Sequence, residues 1–159
     1  MVTGSSTPDV PVLAAIRRLL IATLFAGIVG TGVELVLLGH FESWIQIVPL
    51  VLLGFGLVAV VWQLASPRAA SVRALQAVAI LFLAAGVFGV GLHYDGNSAF
   101  ELEMYPSTSG LELVRKTLTG ATPVLAPGSM VLLGLIGLAY THGHPELTQE
   151  RWFSNEGMQ

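Results

Sequence analysis

Cysteine is absent from the 159 residues, which excludes disulfides, thiolate metal sites, haem attached through cysteine and cysteine nucleophiles. Charge is scarce as well. Asp, Glu, Lys and Arg make up 11% of the chain, against roughly 25% in an average soluble domain. That is too little to coat a water-soluble globule of this size, and a lipid-facing surface resolves the shortage. The seven Lys and Arg residues lie in ones and twos along the chain, so there is no basic stripe of the kind that engages nucleic acid. Catalytic signatures are missing too: no nucleophile elbow, no phosphate-binding loop, no H-E-x-x-H and no dinucleotide fingerprint. A non-enzymatic protein is the expectation. No internal repeat suggests a duplicated transporter half.

What is present is apolar: 53% hydrophobic residues and a mean hydropathy of +0.75. The reading is an all-α integral membrane protein, a four-transmembrane-helix bundle with spans near 19–39, 45–65, 74–93 and 122–141. Residues 1–11 (MVTGSSTPDVP) read as a flexible cytoplasmic tail, 12–145 as the membrane domain and 146–159 as a cytoplasmic C-terminal tail. The first apolar run is too long for a typical signal-peptide core and lacks a small-residue cleavage site, so it is expected to be retained. Trp44 and Trp62 bracket the second span about 27 Å apart, which matches two interfacial belts.

Ser66-Pro67-Arg68 ends the second span, and Thr122-Pro123 opens the fourth as a cap with proline at the first helical position. With four spans, Arg17, Arg18, Arg68, Arg73 and Arg151 fall on one side. That side is predicted to be cytoplasmic, in a bacterial-type plasma (inner) membrane with both termini inside. The other side receives the turn His40-Phe41-Glu42-Ser43 and the long connection after Tyr94. Within that connection Asp95-Gly96-Asn97 reads as a turn and Phe100 to Tyr105 as an extended segment. Ser109-x-x-Glu112 reads as a capping box that opens a short extracytoplasmic interfacial helix, 109–119, with Leu111, Val114 and Leu118 on its packed face.

Glycines recur at helical spacing at Gly27 and Gly30, Gly86 and Gly89, and Gly134 and Gly137, as close-packed membrane helices require. Extended by one turn, the pattern of the first span reaches Glu34 and that of the third span, Gly86 and Gly89, reaches His93, which places both on bundle-facing stripes. Glu34 is the one ionisable group deep within a span, so it is expected to find a polar partner. A contact between Glu34 and His93 is the sharpest expectation. His40 and His93, at the outer ends of their helices, are the candidate cofactor-binding residues, suited to axial haem ligation. With Glu34 and Glu42 they make a candidate transition-metal set. Asp95, Glu101, Glu103 and Glu112 read as solvated surface charge, and His142-x-His144 as an exposed helix exit.

The leading functional reading is an accessory or structural subunit of a larger membrane complex, with the lipid bilayer and other membrane subunits or a homo-oligomer as partners. The alternatives are a haem- or metal-binding membrane protein, and a proton-coupled transporter or channel component using Glu34.

Overall fold

A computed structural model describes residues 10–148, so both outer tails and Arg151 lie outside the described residues. The described chain is helical: α1 (Val10–Leu37), α2 (Trp44–Ala65), α3 (Ala69–Met104), α4 (Gly110–Leu118) and α5 (Gly128–Thr141). Three of these, α1, α2 and α3, are long and apolar enough to cross a membrane, and α5 is a shorter apolar helix.

α3 packs most extensively on α5 and also on α2, while α1 packs on α5 and α2. The four helices therefore form a ring in which α1 and α3 stand on one diagonal and α2 and α5 on the other. Their centre is filled by Leu24 and Ile28 from α1, Leu53 and Val60 from α2, Leu75 and Phe82 from α3, and Met130 and Leu133 from α5. Glycine sets the closest approach. A Cβ at Gly86 would lie 2.7 Å from the backbone nitrogen of Val131, and one at Gly134 would lie 2.6 Å from the carbonyl oxygen of Ala79. The paired glycines of α3 and α5 thus both lie on their shared seam, Gly86 and Gly89 against Pro127 and Val131, Gly134 and Gly137 against Ala79, as small residues do where membrane helices pack backbone to backbone.

α2 agrees with its predicted span and begins on a full cap. The Ser43 hydroxyl accepts from the Gln46 amide while the Gln46 side chain accepts from Ser43. α3 overturns its predicted bounds. The helix runs unbroken through Asp95-Gly96-Asn97 and Phe100 to Met104, where a turn and an extended segment were expected. Its 36 residues span about 54 Å, so close to half of it projects beyond a hydrocarbon core of about 30 Å. Local turn propensity lost to tertiary bonding, because Asn97 is buried and its side chain anchors the following connection.

The start of the fourth apolar run is also corrected. The expected helix from Pro123 is instead a series of i→i+3 turns, with Ala126 N bonded to Pro123 O and Gly128 N bonded to Leu125 O. α5 starts only at Gly128. Pro127 has no N–H to give to the carbonyl four residues back and its ring crowds that turn, which disfavours a helix running through it from Pro123, although α2 accommodates Pro49 near its own start.

α4 forms where the short helix was predicted, but not as predicted. Ser109 takes the cap position with no side-chain cap bond, and Gly110 adopts a positive φ of 61°, so the capping box is not made. The packed face differs too: Thr117 is fully buried, whereas Leu111, Val114 and Leu118 are 85%, 38% and 49% exposed.

Candidate functional site

Polar side chains gather at the two ends of the bundle, and one stands alone on its flank. At the end where α1 begins and α5 finishes, the Gln63 amide donates to the Tyr140 hydroxyl at 3.0 Å. The Ser71 hydroxyl donates to the Gln63 carbonyl oxygen at 2.6 Å and accepts from the Arg68 amide. These groups are all but inaccessible to solvent. Arg17 reaches across to the carbonyls of His142 and Gly143, the latter at 2.7 Å, which places a cation at the negative end of α5. Arg68 lies over the Trp62 ring.

His142 and His144 do not form a clip, and His144 is not part of an exposed exit. His142 is exposed, while His144 is buried against Tyr140, their ring centroids 5.4 Å apart. Burial and the nearby Arg17 charge push the His144 imidazole below its ordinary range, partly opposed by Glu146.

At the opposite end, three residues one turn apart on α3 carry the polar contacts. His93 Nδ1 lies 3.0 Å from the Pro123 carbonyl. A carbonyl only accepts, so Nδ1 carries the hydrogen and a neutral His93 presents its lone pair at Nε2. One turn on, Asn97 donates to the carbonyls of Thr117 and Thr122 and accepts from the Thr122 amide. It thereby clasps both the end of α4 and the connection into α5. Gly120 sits against this side chain, where a Cβ would come within 2.7 Å of the Asn97 amide nitrogen. One turn further, the clasp ends in two buried oxygens without hydrogen-bond partners, Glu101 Oε2 and Thr117 Oγ1. Glu101 is thus half-buried, with one carboxylate oxygen out of solvent, rather than the fully solvated charge it was expected to be. Glu112 does lie at the surface, paired at 3.6 Å with Lys116, whose ammonium stands 4.4 Å over the Tyr105 ring.

The predicted metal set is dispersed. His40 and His93 belong to the same end, where burial and then the like charge of His93 hold the His40 imidazole below its ordinary range. Glu42 is exposed in the α1–α2 turn. Among the described residues, no group of three or more His, Cys, Asp or Glu side chains stands together as a metal ion would require.

Glu34 is the largest correction. Expected to point into the bundle and meet His93, it lies instead on the exposed face of α1, and His93 is turned to Pro123. The buried face of α1 runs through Ile21, Leu24 and Ile28, and at 3.6 residues per turn Glu34 sits roughly a third of a turn from its centre. Of the two glycines expected to mark the packed stripe, only Gly27 meets a neighbour, Leu133, while Gly30 faces open space. Extrapolating from Gly30 found the right stripe and the wrong side of the bundle.

Sequence reasoning missed the Gln63–Ser71–Tyr140 network and the Asn97 clasp. Gln63, well inside an apolar span and away from the capping Gln46 at its start, signalled the first, since a buried amide needs a partner. Nothing local signalled the second. Compared with protein-family models, curated proteins and solved structures, the chain matches none.

Proposed function

We propose that this chain is a four-span helical-bundle protein of the membrane that serves, without catalysis, as an accessory or structural subunit of a larger membrane assembly. The observation that carries this reading is the contrast between a bundle whose polar groups, Glu101 Oε2 and Thr117 Oγ1 apart, are bonded within the chain and an uncommitted flank. The polar groups of the bundle's two ends serve helix-to-helix and helix-to-loop bonds. Meanwhile α1 directs a carboxylate and a row of small and apolar residues outward.

The fourth span in this reading is the turn from Pro123 to Pro127 followed by α5. α5 alone, at 14 residues, covers about 21 Å, and the turns supply the remainder. The short helix α4 lies in the outer interface with Leu111, Val114 and Leu118 against lipid, a placement supported by their exposure and by the flanking Arg115 and Lys116. The end with Arg17, Arg18, Arg68 and Arg73 is cytoplasmic in a plasma-type membrane, by the positive-inside bias. A proton path through the bundle gains no support from Glu34, which stands outside it.

The test is extraction of the native assembly in a mild detergent and measurement of its mass and composition. A complex in which this 16.8 kDa chain is stoichiometric with other membrane proteins supports the reading. A lone monomer or a pure homo-oligomer refutes it.

A second reading, a haem or transition-metal protein, rests on one observation. The Pro123 carbonyl holds His93 in the tautomer whose Nε2 is free to ligate, with His40 at the same end. Metal analysis and an absorbance spectrum of the purified chain decide it, and loss of any Soret band or bound metal in both His40→Ala and His93→Ala is the supporting result.

A further inference from the structure

We infer that the outward face of α1 is the docking site for a transmembrane helix of another protein that carries an arginine or lysine opposite Glu34; this rests on the subunit reading above. The face is defined by Leu19, Thr23, Ala26, Gly30, Val33 and Leu37, all exposed, with Leu19 at 69%, Val33 at 53% and Leu37 at 80%. Their spacing alternates four and three, the 3.5-residue repeat by which two helices keep one seam in contact along their length. The small residues Thr23, Ala26 and Gly30 occupy the middle of the seam, and nothing lies within 4 Å of where a Cβ on Gly30 would be.

Glu34 decides what covers that seam. It lies three residues before the end of α1, about one turn inside the outer hydrocarbon boundary. Helical side chains lean toward the N-terminus, which here is toward the bilayer centre. Glu34 is thus directed away from the headgroups that a side chain near a helix end would otherwise reach. An ionisable group at such a depth ordinarily faces a protein partner or a water-filled cavity, and the bundle offers Glu34 neither.

A second copy of the chain does not supply the partner. If two α1 helices inserted the same way paired along this seam, Gly30 and Leu37 would take the a positions, Val33 the d position and Glu34 the e position. An e residue in a parallel pair faces the partner's preceding g position, which is Val29. Both carboxylates would remain opposite valine. A different helix bearing a cation at that g position answers the charge and fills the seam at once.

The chain contains no cysteine, so a single introduced cysteine labels one place. The full chain, labelled at the exposed start of α3 through Ala70→Cys, is reconstituted in phosphatidylcholine vesicles with labelled synthetic helices of about 24 residues. These are Leu/Ala sequences with either one arginine or a leucine in the outer third. Energy transfer is expected to show the arginine helix binding about tenfold more tightly than the leucine helix, a difference of about 1.4 kcal/mol. Glu34→Gln should erase that preference, and Gly30→Leu should weaken both helices; both residues are exposed, so the fold tolerates each change. Equal binding of the two helices, or a preference that survives Glu34→Gln, overturns the proposal. So does a disulfide-linked dimer of the Gly30→Cys chain, which gives the face to a second copy. Failure of the subunit reading is distinct: the native assembly then contains no other protein, whatever the peptides do.

Discussion

Along the α3–α5 seam, Gly86 and Gly134 let two backbones meet so closely that a methyl group at either would collide with main-chain atoms. Along the outward face of α1, Gly30 sits at the same kind of spacing and meets nothing. Glycine records how near a neighbour comes, but not whether that neighbour is in the same chain. In the first seam the neighbour is α5, and the contact holds the ring closed. In the second no described element of the chain approaches, and the helix keeps a polar group, Glu34, on that exposed side.

This contrast is broken most severely by enlarging the closed seam. Gly134→Ala is expected to lower stability by about 1–3 kcal/mol through overpacking against Ala79 and Leu83, read by denaturation in detergent. Gly30→Ala should instead leave stability unchanged or raise it by about 0.5–1 kcal/mol, since an exposed helical glycine gives way to a better helix former. Equal losses at the two positions would erase the distinction between the faces.

Next in size is the Asn97 clasp. Asn97→Ala removes three hydrogen bonds, one of them to the carbonyl of the buried Thr117, so a loss of about 1–3 kcal/mol is expected. Hydrogen exchange should speed in the segment 105–122 ahead of the membrane core. At the opposite end, Gln63→Leu should cost about 1 kcal/mol, because Ser71 still has the Ser66 and Arg68 carbonyls within reach.

The smallest effect expected is a pH dependence from His144, whose imidazole is held below its ordinary value of 6.5. Above that pH the folded and unfolded chains both keep it neutral, and stability is flat. As pH falls, the unfolded chain takes up its proton first, so stability declines until the folded-state value is passed. His144→Gln should flatten this part of the profile measured across pH 5–7.

The membrane character was legible from composition, and α2 from its tryptophan bracket and the proline that follows it, because those signals are set by the solvent and by local backbone chemistry. The length of α3 was not, since Asp95-Gly96-Asn97 has turn propensity and only the distant partners Thr117 and Thr122 make a helix the better place for Asn97. The start of α5 was misplaced because two prolines compete and only Pro127 falls where helical bonding is needed. For Glu34, periodicity located the stripe, but a glycine spacing reads the same whether it faces a helix or lipid. His40 and His93 were brought to one end as their positions required, while the side on which Glu34 lies depended on which flank of α1 packs against α5.

The bare side of α1 is the central claim, and accessibility of a spin label along that helix tests it most directly. Single cysteines at successive positions from 26 to 37 are labelled in the reconstituted chain, and collision with oxygen is compared with collision with a water-soluble nickel chelate. Oxygen access is expected to rise and fall with the helical period of 3.6 residues, highest at Ala26, Gly30, Val33 and Leu37 and lowest at Ile28 and Leu35. A minimum at Gly30 and Glu34 would place them inside the bundle and contradict the account.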